Sequence, residues 1–295
     1  MLELTRDDTS IPDEKALREQ YFGHEHVTVI EPIRGWRLLD LREIWAYREL
    51  LFVLMMRDIK VRYKQTVLGA AWAILQPFMT MVVFTVLFGR LANMPSDGAP
   101  YPVFVYSALV PWTFFANAIT SSSNSLLGSA HLISKVYFPR LIIPLAAVGV
   151  GVIDFAVASS ILLGMMIWYG VGWSLHLLMT PVLLLGIMFT ALGAGTCLSA
   201  LTVSYRDFRY VVPFMVQLWM FVTPVVYPAS LIPARWQWLF HLNPLSGLIQ
   251  GFRAVFLGQA FDFGGLAVSA GVAIILFFIG VMIFERIERR FADII

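Results

Sequence analysis

The chain has 295 residues, 59% of them hydrophobic and 14% charged, with a mean hydropathy of +0.75 and a formal net charge of +2. A soluble domain carries about 25% charged and about 45–50% apolar residues, which excludes disorder for most of the chain and speaks against a water-soluble enzyme. The composition is that of an integral membrane protein.

The charge is unevenly placed. Twelve acids and eleven bases fall between Met1 and Lys64, leaving seven acids and ten bases for the rest. The predicted organisation is a charged tail (1–37), an interface segment (38–66), a membrane domain (67–284) and a short C-terminal tail (285–295). Met1 to Arg37 holds no apolar core long enough for a cleavable signal, so the first span is expected to direct insertion. The single Cys197 excludes an intrachain disulfide.

From Leu38 to Met56, Leu41, Trp45 and Phe52 share one helical face, with Asp40, Arg42, Glu43, Arg48 and Glu49 elsewhere. This predicts an amphipathic helix lying along the membrane surface. Arg57, Asp58, Lys60, Arg62 and Lys64 follow, and read either as an anchor for anionic headgroups or as a docking surface for a cytoplasmic partner.

Six stretches are long and apolar enough for membrane helices: Val67–Phe88, Val103–Ser122, Leu145–Tyr169, Leu177–Val203, Val211–Tyr227 and Gly264–Phe284. Lipid offers no partner for an open sheet edge, so even strand-like runs such as Val82–Phe88 are read as helix. The Lys/Arg bias places both termini, the 123–144 loop and the 204–210 loop in the cytoplasm. Trp168, Tyr169 and Trp173 then mark the outer edge of the third span.

Within these spans, Gln76 and Thr80 lie one turn apart in the first, and Gln217 and Thr223 lie in the fifth, beside Trp72, Phe84, Trp219 and Phe221. Amides next to flat rings suit the passage of a sugar chain; ordinary helix packing is the alternative. Asp154 is the one clear mid-membrane acid, either a hydrogen-bonding group or a proton carrier. With no base in the neighbouring turns, the structural reading is preferred.

Two loops carry aromatic knobs. Lys135-Val136-Tyr137-Phe138-Pro139-Arg140 sets two aromatics between two bases, and Ser204–Tyr210 repeats the chemistry around Arg206 and Asp207. Exposed rings here must enter lipid or a protein cleft. Between the fifth and sixth spans the apolar pieces are too short to cross. One opens near Pro233; the other opens on Asn243-Pro244, an N-cap followed by proline at the first helical position, and runs to about Leu257. They are predicted as two short re-entrant helices with Trp236, Trp238, Phe240, Phe252 and Phe256 at the interface.

No catalytic machinery is legible. There is no Gly-x-x-x-x-Gly-Lys phosphate loop, and no His-Glu-x-x-His; His24-Glu25-His26 is too tight for that zinc spacing. No catalytic residue and no metal site is expected.

The run Arg57 to Gly69, continuing through Trp72, Pro77 and Val83-Phe84-Thr85, resembles the start of the membrane permeases of bacterial polysaccharide ABC exporters, which move O-antigen, capsule or teichoic-acid chains. Val110–Phe115, Lys135–Arg140, Arg206-Asp207-Phe208, Gln217, Thr223–Tyr227, Leu242–Leu245 and Phe252-Arg253 extend the resemblance in order to about Arg253. It implies an all-α, six-span half-transporter in the bacterial inner membrane that works as a homodimer. Two copies of a separate cytoplasmic ATPase, which binds the ATP and Mg, would attach below, and this chain would hold no cofactor. The cargo would be a polysaccharide on polyprenyl diphosphate, with membrane lipid around and no nucleic acid involved. Arg57, Asp58, Lys60, Arg62, Lys135, Tyr137, Phe138, Arg140, Arg206 and Asp207 would couple to the ATPase, and Arg57, Arg62 and Arg140 could meet the diphosphate. Trp72, Gln76, Thr80, Phe84, Gln217, Trp219, Phe221 and Thr223 would line the path. Pro233, Trp236, Trp238, Asn243, Pro244 and Arg253 would form the outer gate. The competing readings are a lipid or drug exporter of the same architecture, an integral-membrane transferase on polyprenyl substrates, and a secondary transporter.

Overall fold

In lipid a chain must satisfy its backbone polar groups internally, and a helix does so within one segment. The computed structural model describes residues 41–64, 71–172, 174–288 and 291, and these hold helices and connecting turns with no strand among them. The predicted tail 1–37, the join 65–70 between interface segment and first span, Trp173 and most of the C-terminal end lie outside the described residues.

In chain order the helices are α1 (Leu41–Ala46), α2 (Arg48–Lys64), α3 (Ala71–Phe84, prolonged by a π-helical stretch Thr85–Leu91), α4 (Tyr101–Gly128) and α5 (Ala130–Ile133). They continue as α6 (Ile142–Trp168), α7 (Thr180–Ser204, after a 3-10 turn Leu175–Met179), α8 (Phe208–Val222), α9 (Gln237–Leu242), α10 (Pro244–Leu257) and α11 (Phe263–Glu288).

Among the described residues five segments are long and apolar enough to cross a membrane: Ile74–Leu91, Tyr101–Gly128, Ile142–Trp168, Leu175–Ser204 and Phe263–Glu288. The predicted fifth span is shorter than expected. At 1.5 Å per residue α8 reaches only ~22 Å, against about 30 Å of hydrocarbon. It stops because Thr223 precedes Pro224, whose ring excludes helical backbone from its neighbour, and Thr223 is extended at ψ 141°.

Helix α4 is the axis of the body. Every residue from Val103 to Trp112 is buried, and it packs against α6, α7 and α10. Small residues set the closest crossings, as expected where lipid is as apolar as any side chain. A Cβ on Gly280 of α11 would lie 1.9 Å from the Gly193 carbonyl oxygen of α7, and one on Gly195 would lie 2.6 Å from Ser122 Oγ of α4. By contrast α3 and α8 are peripheral and turn apolar side chains outward, among them Trp72, Met79, Val83, Phe214, Leu218 and Phe221.

Two expectations are corrected. The interface helix is apolar on both sides: Leu54 is buried and Leu50, Leu51 and Met55 pack inward, while Phe52, Val53 and Val61 are exposed. Its apolar residues are therefore not confined to one face. Met55 meets Gly149 and the last turn meets Asp154, so α2 climbs alongside α6 in the same sense. Helix α10 is buried on every side, Phe252 and Phe256 included, rather than floating at an interface. Its short length is tolerable because protein surrounds it. Its start follows the sequence reading, with Asn243 as N-cap accepting from the Leu245 amide (3.1 Å) and Pro244 at the first position.

Candidate functional site

The two ends of the bundle carry the polar chemistry. One end gathers α1, α2, the ends of α4, α7 and α11, and the α5 loop around an apolar cluster of Leu54, Leu126, Phe138, Ile142, Val203 and Phe284. The loop residues foreseen as a knob divide here. Lys135, Val136 and Tyr137 are exposed, Tyr137 at 58%, whereas Phe138 is buried at 4% in the chain's own core. Pro139 turns the chain into α6 just after it, which swings the ring inward, so the expected pair of exposed rings is a single ring. Loss of water on its inner edge, then the charge of nearby Glu43, raises the Tyr137 phenol above its usual range and keeps its proton.

Arg140 also turns inward. Its Nη1 donates to the Glu288 carbonyl (2.6 Å), its Nε stands 3.8 Å from the Glu288 carboxylate, and its guanidinium lies 5.7 Å from the Phe291 ring. It ties the loop to the end of α11. Arg206 and Asp207 stay exposed at the turn into α8, and Arg57 and Lys60 are exposed on α2.

A half-open groove of ≈440 Å³ separates α2, α4 and α6 at this end. Arg57, Asp58 and Arg62 line one wall, Ser121, Ser125 and Ser129 a second, and Ala146, Ala147 and Val150 the third. Arg57 and Asp58 pair at 2.8 Å. Arg62 reaches from this wall to α6: its Nη1 donates to one carboxylate oxygen of Asp154, and the Tyr63 hydroxyl donates to the other. Asp154 lies ~18 Å along α6 from its first residue at 1.5 Å per residue. A carboxylate at such depth costs about 2.5–3.5 kcal/mol to insert unless paired, and two donors to its two oxygens meet that cost. The base absent from the neighbouring turns comes from a helix 92 residues away. Both Asp154 oxygens thus accept a hydrogen bond from the end of α2.

At the opposite end the break after α8 dictates the arrangement. The turn and bends beyond Thr223 leave carbonyls without helical partners. Buried Arg253 of α10 donates from Nη2 to the Val225 carbonyl (2.7 Å) and from Nη1 to that of Tyr227 (3.1 Å), and the Tyr101 hydroxyl donates to Val226 (2.8 Å). The Arg253 guanidinium sits 3.8 Å from the Phe104 ring centre, a cation–π contact. Gly89, in the π-helical end of α3, lies so close to Tyr101 that a Cβ would stand 2.7 Å from its ring. Asn243 is the second hub. It accepts from Trp219 Nε1 (3.1 Å) and donates to Thr223 Oγ1 (3.0 Å), joining α8 to α10. Trp236 and Trp238 are exposed on the connection, with Pro233 beside them, and Pro244 is buried.

The residues foreseen along a path therefore separate. Trp72, Gln76, Gln217 and Phe221 are exposed on α3 and α8. Thr80 spends its hydroxyl on the Gln76 carbonyl (2.9 Å), and Phe84 packs edge-on to Phe88. Half-buried Trp219 packs edge-on to Phe115, and Thr223 is fully buried, so these two hold the break after α8 together. Sequence reading passed over Tyr63, Tyr101 and Phe104. The only signal for them was an aromatic ring inside a basic run or just after a proline. Among the described residues no three His, Cys, Asp or Glu side chains come together to hold a metal ion.

Residues 49–257 match the family model described as ABC-2 type transporter. The chain is 30% identical over 259 residues to the O-antigen export system permease protein RfbA of Myxococcus xanthus, covering 86% of this chain and 98% of that protein. It is 29% identical over 248 residues to the protein of the same name from Klebsiella pneumoniae, covering 84% and 95%. With the polysialic acid transport protein KpsM of Escherichia coli it shares 24% over 246 residues, 80% and 92% of the two chains.

Proposed function

We infer the function from one premise: the chain belongs to the ABC-2 type transporter family. Its role is that of a permease subunit in an ATP-driven exporter of a lipid-linked, O-antigen-like polysaccharide. The observation that carries this reading is likeness along almost the whole chain to permeases named for O-antigen export.

In this reading the end bearing α1, α2 and the α5 loop faces the cytoplasm, following its Lys and Arg residues. The chain crosses six times, α8 and the turn and bends after it making the fifth crossing, with α9 and α10 returning within the outer leaflet. Two copies meet across the outward faces of α3 and α8, and Trp72, Gln76, Gln217 and Phe221 line the path between them. Their exposure on apolar helices supports this, because an amide turned to lipid is costly. Lys60, Lys135, Tyr137, Arg206 and Asp207 receive the partner ATPase. ATP-driven closure of that partner pushes on the Tyr137 loop and the 205–207 turn, and the path opens between the copies. The diphosphate of the cargo is first met in the groove at Arg57 and the serine wall; Arg140, bound to Glu288, takes no part.

The test is deletion of the gene with complementation, together with purification of the tagged chain from its own host. Expected are loss of surface polysaccharide with chains retained inside, and an ATPase that co-purifies. Normal surface glycan with altered drug resistance, or purification of an active chain with no ATPase, would overturn the reading.

A further inference from the structure

Asp154 is the only acid between Gly98 and Ser204, and no step of the proposed export uses it. Its two oxygens are held by two consecutive residues of one turn, Arg62 and Tyr63, at the very end of α2. In sequence that end stands seven residues before Ala71, where α3 begins. Lower down, Leu54 is buried and Met55 fills the space over Gly149, so α2 is seated on α6 along its length. On the far side Asp154 borders a cavity of ≈30 Å³ shared with Gln76, Pro77, Thr113 and Asn117. The carboxylate thus stands where α2, α4, α6 and α3 at Pro77 come together.

We propose that Arg62, Tyr63 and Asp154 form the joint through which the interface helix moves the third span, with Arg62 a positioning residue that acts on Asp154 rather than on the ATPase. The proposal rests on the reading of the chain as an ATPase-driven permease. A displacement of α2 must either break two hydrogen bonds to one carboxylate or carry α6 with it. A bidentate grip of this kind fixes register as well as distance, which apolar contacts such as Met55 on Gly149 do not. The pair is part-buried, its arginine side chain 38% exposed and its carboxylate 15%, and apolar residues of similar size often replace such a pair in a protein interior without loss of stability. A grip kept at the end of α2 has a mechanical use there: it makes α6 answer to α2, and through the shared cavity it borders α3 at Gln76 and Pro77.

Three variants separate the possibilities, each expressed with the partner ATPase in the host deleted for the gene. The readouts are surface polysaccharide on gels, co-purification of the ATPase, and ATP hydrolysis by the purified complex. Arg62→Met should keep the ATPase bound and hydrolysing while export per ATP falls by about tenfold, within the usual range of coupling between linked sites. Arg62→Lys should restore part of it. The double variant Arg62→Met with Asp154→Leu removes both charges: it should regain wild-type amounts of folded protein and remain uncoupled. Full export by the double variant would make the triad merely structural and overturn the proposal. So would loss of the ATPase in Arg62→Met, which would place Arg62 on the docking face. Absence of polysaccharide export or of an ATPase partner in the wild type would instead defeat the functional reading, a separate failure.

Discussion

Arg253→Met should loosen the break after α8. The arginine contributes two hydrogen bonds from a charged donor, each worth about 1.5–3 kcal/mol, and a desolvated cation–π contact of about 2 kcal/mol. Both receiving carbonyls, Val225 and Tyr227, lie in a closely packed stretch and lose their partner. Against this, methionine fills similar space and removes a charge whose burial costs several kcal/mol. The net loss should be roughly 2–5 kcal/mol. The melting temperature of the purified protein in detergent, followed by tryptophan fluorescence, should drop by about 5–10 °C at a few degrees per kcal/mol. Arg253→Lys keeps the charge and the ring contact but cannot fork to two carbonyls, and should lose about half as much. Phe104→Leu should remove the ring contact alone. A methionine variant that melts within about 1 °C of wild type would refute the reasoning, because the guanidinium would then be doing nothing the chain cannot do without.

Three further outcomes are expected. Gly280→Ala places a methyl group against the Gly193 carbonyl and should cost at least about 1–3 kcal/mol by overpacking, read as a lower yield of monodisperse protein; Gly164→Ala, with nothing within 4 Å, should be neutral. Asn243→Ala removes an N-cap and two side-chain bonds to α8 and should destabilise by roughly 2–4 kcal/mol, with Trp219 fluorescence shifting before global melting. Phe138→Ala should cost about 3–5 kcal/mol as a core truncation, while Tyr137→Ala should leave the melting temperature unchanged and reduce export. Equal effects on stability would contradict the split between buried and exposed ring.

Hydropathy was enough to find the five long apolar helices, because lipid leaves helix as the one way for them to satisfy the backbone, and the helix start at Asn243-Pro244 was legible because an Asn-Pro pair acts within its own turn. The end of the fifth helix was legible in principle too, since Thr223-Pro224 carries the stop, but apolar composition ran on past it and hid the break. What no local pattern could reveal was which side chains close on each other across the fold. Phe138 and Tyr137 look alike in sequence, and only the packing of α2, α4 and α11 makes one core and the other surface. Trp219 and Thr223 resemble lining residues until Asn243, 20 or more positions away, takes their polar atoms. Asp154 had no base in its own helix, and the fold supplied one from α2. Composition and periodicity report the solvent each helix must meet; partners for buried polar atoms are set by distances between helices, which a one-dimensional pattern does not contain.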